Sequence, residues 1–415
     1  MRPLNTPYWR DLGALLSGSA LAQGIPILAS LLLARLVLPA EFGFYAAWLG
    51  VVSVGAVFLS LRYEAALPLE PEGHGRRRAL LAVLVTIVGV GGMLGLVLAA
   101  ARVAGLWANV PVGFLLLGPL LAMLLAASNA VQLWLSAEGR FAVLSGYRVL
   151  QALALSGSQV LAVLWRPTAA SLALGMSFGL AFALTLLWLR SRRAGASGPI
   201  ATGPSVDVEF LRRRLRFVLL GLPAGVVGTV AEQLPVVWVG SRFGAEAAGF
   251  LALAQRTLGA GIGLVASSVL DVFRRDSAQA FLARGECVAA FDHAFKLLLV
   301  IASLLVLVLG GAAEWLFVLV FGEPWRSAGQ IALWLLPLFA LRVVASPLSF
   351  MFFLAQRQDW DLAWQLALVL FTAAALGLPA QFREALLLYA WGYAALYTVY
   401  VLMARRLSRA PSPTP

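Results

Sequence analysis

Apolar runs long enough to cross a bilayer recur from one end of the chain to the other, separated by short breaks rich in arginine, glycine and proline. A helix crossing the roughly 30 Å hydrocarbon layer needs about 20 apolar residues. Inside that layer backbone amides have no water to bond to, so runs of this length satisfy them internally as helices. Composition agrees: 61% of the 415 residues are hydrophobic and 12% are charged, against roughly 45–50% and 25% in soluble domains. No water-soluble fold buries so large an apolar share. The expected fold class is all-α, a polytopic membrane protein with about twelve transmembrane helices.

The runs predict helices over residues 12–34, 43–61, 79–101, 112–135, 142–164 and 168–189, then over 217–239, 247–272, 295–320, 328–354, 362–379 and 385–403. The first run is longer than a signal-peptide core and lacks a small-residue cleavage site, so it reads as a retained helix. Arginines fix the orientation, because cytoplasmic connections collect them. With the amino terminus inside, the outside connections hold only Arg35, Arg102, Arg166, Arg242, Arg326 and Arg383, while Arg256 and Arg342 fall within predicted helices and the other basic residues lie inside. Both termini are therefore expected in the cytoplasm. The net charge of +12 follows from the same bias, so no nucleic-acid partner is implied.

The longest polar stretch, with Gly195, Ser197, Gly198, Pro199, Gly203, Pro204 and Ser205, has the chemistry of a linker. It sets the expected organisation: an N-terminal lobe over residues 1–190, a basic cytoplasmic linker over 191–216, and a C-terminal lobe over 217–415. Gly43-Phe44 in PAEFGFYAAW matches Gly249-Phe250 in GAEAAGFLALA, and LSAEGRF from Leu135 matches LAQRQDW from Leu354. Two copies of six helices share an orientation, so the halves form a parallel pseudo-repeat. Both leading helices are interrupted at similar places. Pro26 follows Gly18 and Gly24 in one, and Pro223 lies between Gly221 and Gly225 in the other. Small residues also serve close helix packing, but a proline inside a helix bends it, and broken helices at matching positions mark transport sites. Pro26 and Pro223 are the candidate hinges.

A charge near the bilayer centre costs at least about 2.5–3.5 kcal/mol on insertion scales, so it faces a partner or a water-filled cavity. Glu232 and Arg256 sit at similar depths in the seventh and eighth predicted helices, and either pair with each other or line a cavity. Arg342 lies near the middle of the tenth, in LFALRVVASPLSF, without an acidic neighbour in sequence. A guanidinium forks onto phosphate and keeps its charge at any relevant pH, so a diphosphate suits it; carbonyls freed near Pro347 are the alternative partner. Arg35 and Arg62, at helix ends, serve more often as headgroup anchors. The single cysteine, Cys287, and the two histidines, His74 and His293, support neither a disulfide framework nor a zinc site.

Three segments, GSALAQGIPILASLLLARLVLPAEFGFYAAW, LRYEAALPLEPEGHGRRRALLA and GFLALAQRTLGAGIGLVASSVLDVFRR, resemble the polysaccharide-transporter (Wzx-type) flippases of the multidrug/oligosaccharidyl-lipid/polysaccharide exporter (MOP) superfamily. The turn Glu41-Phe42-Gly43, the triplet Arg62-Tyr63-Glu64 and the triplet Ala254-Gln255-Arg256 carry the likeness. It implies two six-helix lobes around a cavity that opens alternately to each side of a bacterial inner (cytoplasmic) membrane. The implied cargo is an undecaprenyl-diphosphate-linked oligosaccharide, flipped to the periplasmic leaflet for surface polysaccharide such as the O-antigen of lipopolysaccharide. The candidate substrate-binding residues are Arg256, Arg342, Gln255, Arg35 and Arg62, and Glu232 is the candidate for ion coupling. The lipid bilayer and the lipid-linked oligosaccharide are the expected partners, with other polysaccharide-assembly membrane proteins as further candidates. No catalytic residue, cofactor or metal is expected. A glycan polymerase or ligase would need a sizeable outside loop bearing catalytic side chains, and a cation-selective multidrug exporter an acidic cavity.

Overall fold

The computed structural model describes residues 6–106, 111–193, 207–355 and 357–409. The described residues form no strand. The helices are α1 (Thr6–Leu36), α2 (Pro39–Ser60), α3 (His74–Val103), α4 (Val112–Ala137), α5 (Phe141–Trp165), α6 (Ala169–Arg193), α7 (Val208–Arg213), α8 (Leu222–Phe243), α9 (Ala245–Arg284), α10 (Val288–Phe321), α11 (Arg326–Leu348), α12 (Phe350–Leu354), α13 (Gln358–Gly377) and α14 (Phe382–Leu407). Among the described residues ten helices are long and apolar enough to cross a membrane. The protein is an all-α, multi-pass membrane protein.

Two compact units divide the chain, Met1–Gln233 and Leu234–Pro415. This boundary falls within α8, and the segment from Asp207 onward packs with the first unit; most of the expected linker, residues 194–206, lies outside the described residues. Asp207 accepts a hydrogen bond from the Phe210 amide (2.8 Å) and caps α7. Phe210 is fully buried, the Tyr63 hydroxyl donates to the Leu211 carbonyl (3.1 Å), and buried Glu70 binds Arg214 (2.8 Å) and Arg213 (3.5 Å).

The first unit packs α4 against α2, α3 and α6, and α5 against α1 and α6. In the second, α11 packs against α9, α10 and α14, and α13 against α14. The two schemes correspond helix by helix, from α2 with α9 to α6 with α14. Matched residues make matched contacts: Phe44 meets Phe114 edge-on near the start of α4 (4.9 Å), and Phe250 meets Trp325 edge-on at the start of α11 (6.1 Å). The leading helices differ. Whereas α1 lies along α5, α8 has no buried residue between Leu222 and Leu234.

Two stretches are more helical than expected. The eighth and ninth predicted helices continue through their charged connection, α9 to Arg284 and α10 from Val288, around a left-handed Gly285 (φ 73°). Arg and Lys are good helix formers, and a helix that has left the hydrocarbon satisfies its backbone as well in water as within the membrane. The tenth predicted helix breaks instead at Ser349, two residues after Pro347.

Candidate functional site

The first unit builds a site where α2 ends. Leu61 and Arg62 are both left-handed, with φ of 48° and 60°. Residues with a Cβ pay roughly 1–2 kcal/mol each for this conformation, which clusters where function requires it. It turns the chain into the 3-10 segment Tyr63–Leu69. Glu64, buried there, lies 3.7 Å from the Arg62 guanidinium, too far for a hydrogen bond. Arg62 Nε and Glu64 Oε2 are both enclosed and without a hydrogen-bond partner, although the Arg62 side chain as a whole is 39% exposed. The pair is thus under-satisfied, a cation and an anion each with bonding capacity in reserve.

What holds Arg62 from the other side is the approach to α8. Pro223 has no N–H to give to the Leu219 carbonyl, and just before it the chain widens into a π-turn over Phe217–Gly221, with the Leu222 amide donating to Phe217 O. Such turns recur at functional positions. Gly225 follows, and a Cβ there would stand 2.7 Å from Arg62 Nε. The expected hinge at Pro223 therefore lies two residues from the glycine beside Arg62, an expected binding residue.

The second unit presents Arg342 near the middle of the span Glu323–Leu354. Its side chain is exposed and forms no hydrogen bond or ion pair with the described residues; its guanidinium stands 5.9 Å from the Phe339 ring. The carbonyls near Pro347 do not take it up. Its helix packs against α14, which carries Tyr389, Tyr393 and Tyr397. Exposed Ser346 continues the same face of α11 one turn on, and half-buried Ser349 lies just past the end of that helix. On α9 Arg256 is exposed beside half-buried Gln255. Arg35 is exposed in the last turn of α1, in which Pro26 is carried without interrupting the helix. Exposed Glu232 belongs to the first unit and Arg256 to the second.

A polar seam between α4 and α5 escaped the sequence reading. Arg148, assigned there to an inside connection, lies two turns into α5 and donates from Nε to Gln132 Oε1 (3.1 Å). Gln132 in turn donates to Gln151 Oε1 (3.2 Å), which also accepts from Ser128 (3.3 Å), itself bonded to Tyr147 (2.9 Å). The signal was present as Arg148 and Gln151 three apart, facing Ser128 and Gln132 four apart. Arg76 is likewise absorbed, bonding Leu67 O, Glu70 O, Ala137 O and Glu138. Among the described residues no group of three or more His, Cys, Asp or Glu could hold a metal ion. Burial, helped by Glu286, pushes the Cys287 thiol up to about 11, so it offers no nucleophile near neutrality.

The family model described as polysaccharide biosynthesis protein matches residues 32–330, most of the chain. The chain belongs to this family. No curated protein matches it by sequence. Solved structures share the fold of this chain at low identity. The lipid II flippase MurJ, in an inward closed conformation, is 12% identical over 94% of this chain and 87% of its own, with a TM-score of 0.71. An outward-facing multidrug resistance MATE family transporter of the MOP superfamily is 15% identical over 96% and 95%, with a TM-score of 0.57. A MOP superfamily transporter from Pyrococcus furiosus is 14% identical over 96% and 95%, also at 0.57. The chain therefore has the fold of the MOP transporters, as the resemblance of its segments implied.

Proposed function

We propose that this protein flips an undecaprenyl-diphosphate-linked oligosaccharide from the cytoplasmic to the periplasmic leaflet of a bacterial inner membrane by alternating access, supplying surface polysaccharide assembly. Sugars and diphosphate cannot cross hydrocarbon, whereas the polyprenyl tail is at home there. The tail stays in lipid while the head travels within the protein, and the pseudo-repeated units exchange access by rocking. The observation that carries this reading is Arg342, an exposed guanidinium in mid-span that no described residue pairs. An arginine facing lipid at that depth would be costly, so the surface around it is polar cavity and the missing partner an anion of the cargo. Arg256, Arg62 and Arg35 add further cationic contacts and Gln255 a neutral polar one, Glu232 is the site for a coupling ion, and Pro26 and Pro223 are the hinges. Both termini lie in the cytoplasm.

The test is transfer of a fluorescent undecaprenyl-diphosphate oligosaccharide between leaflets of liposomes holding the purified protein. Hydrogen bonds to a charged group contribute about 1.5–3 kcal/mol, so Arg342→Ala lowers transfer about ten- to a hundredfold while the protein stays folded. Export of a cationic dye without movement of any glycolipid would replace this reading with a drug exporter.

A further inference from the structure

Beside Arg342 the second unit carries an aromatic wall that α13 and α14 build together. Tyr389, Tyr393, Tyr397 and Tyr400 follow one another along α14 at helical spacing, with ring centroids 4.8 Å apart for the first pair and 5.7 Å for the second. Trp364 of α13 closes the row, 5.2 Å from Tyr397 and 4.2 Å from Tyr400. Most of the polar ends are used internally. Tyr400 donates to Asp361 (2.6 Å), Tyr393 accepts from Thr372 (3.3 Å), and the Trp364 indole N–H donates to the Leu396 carbonyl (3.2 Å). Tyr389 and Tyr393 are buried and belong to the core.

Tyr397 and Trp364 differ from the rest of the row. Both are only partly buried. The Tyr397 hydroxyl has no hydrogen-bond partner among the described residues, and it is not among the unpaired polar atoms sealed from solvent. Since the Trp364 N–H is occupied and Tyr400 packs against the ring at 4.2 Å, what that half-buried side chain offers is the part of its ring left exposed. Tyr397 stands on α14, which packs against both α11, the helix of Arg342, and α13, the helix of Trp364, so the cation, the free phenol and the indole belong to one packed group of helices. A face combining a cation, a hydroxyl donor and flat aromatic surface suits a ligand with an anionic group attached to a ring of C–H bonds and hydroxyls. Aromatic side chains are suited to such mixed contacts, apolar on the face and polar at the tip.

We infer that Trp364 and Tyr397 form the sugar-recognising surface of the cargo site. They receive the pyranose next to the diphosphate, with Trp364 stacking on the ring and Tyr397 bonding a hydroxyl, while Arg342 holds the phosphate. This rests on the flippase reading and adds to it a place where the protein reads the glycan rather than the lipid carrier.

The experiment compares two fluorescent lipids in the same proteoliposomes, undecaprenyl diphosphate without sugar and the same lipid bearing an oligosaccharide. Trp364→Leu and Tyr397→Phe should slow transfer of the glycolipid about tenfold and severalfold, with the sugar-free lipid unaffected, whereas Arg342→Ala slows both. Tyr397→Phe keeps the ring and removes one oxygen, so it remains informative if Trp364→Leu fails to fold. Equal transfer of the glycolipid by native and variant chains, or equal slowing of both lipids in the folded variants, would overturn the sugar surface and leave the flippase standing. A native chain that moves neither lipid would remove both.

Discussion

A single hydrogen atom decides where the Arg62 guanidinium can lie. Gly225 leaves the space that Arg62 Nε occupies, and a methyl group there would meet it at 2.7 Å. The clash is with the far end of a flexible side chain, so the protein answers by moving the guanidinium rather than the helices. Gly225→Ala should therefore hold or slightly raise the thermal unfolding temperature in detergent, since alanine is favoured over glycine in a helix by about 1 kcal/mol. Transfer of the lipid-linked oligosaccharide should meanwhile fall roughly tenfold, in keeping with what small misplacements of binding groups cost. Unchanged transfer in the reconstituted variant would separate Arg62 from the cargo. Arg342 was legible in the sequence because an arginine inside an apolar run announces its own cost. The neighbourhood of Arg62 was not, because Gly225 lies far along the chain and neither Leu61 nor Arg62 is a residue type that signals a left-handed backbone.

At the scale of elements, helix positions were legible wherever an apolar run ended in arginine, glycine or proline, and obscure where a helix continued past the hydrocarbon, as α9 and α10 do. Nothing in hydropathy told which helices touch. The α5–α6 contact shows why, since it is made by the absence of side chains. A Cβ on Gly175 would stand 2.6 Å from Gln159 Cα, and one on Gly179 would stand 2.5 Å from the Ala154 carbonyl oxygen. Ser158 uses the proximity to donate to the Gly175 carbonyl at 2.6 Å. Glycines four apart let helix backbones approach in just this way. Gly157, on α5 itself, has nothing within 4 Å of its missing Cβ. Gly175→Ala must force two backbones apart and should destabilise the protein by about 1–3 kcal/mol, the usual cost of overpacking, whereas Gly157→Ala should be neutral or mildly stabilising. Thermal unfolding of the two variants side by side checks this; similar melting temperatures would mean that the α5–α6 contact is looser than its geometry indicates.

For the whole molecule, the pseudo-repeat connects sequence to topology. Gly43-Phe44 and Gly249-Phe250 could be aligned by eye, but their equivalence acquires physical content from Phe44 resting on Phe114 and Phe250 on Trp325, each near the start of the helix about which its unit packs. If each copy contributes an even number of spans, the two copies enter the membrane from the same side, and α1 and α8 start in the same compartment. Arginine placement says which compartment that is. Arg76, Arg77 and Arg78 open α3, and Arg212, Arg213, Arg214 and Arg216 precede α8, while the connection after α3 has the single Arg102. Clusters of this kind resist translocation, so both ends of the chain and the approach to α8 are expected in the cytoplasm. A fluorescent protein fused after the last residue should then fold and emit, and alkaline phosphatase fused there should be inactive. Phosphatase fused after Gly105 should be active. Activity at both positions would mean that the number of crossings between them is even, and α8, whose first half has no buried residue, would be the helix to remove from the count, because the other long spans after α3 each pack within one unit.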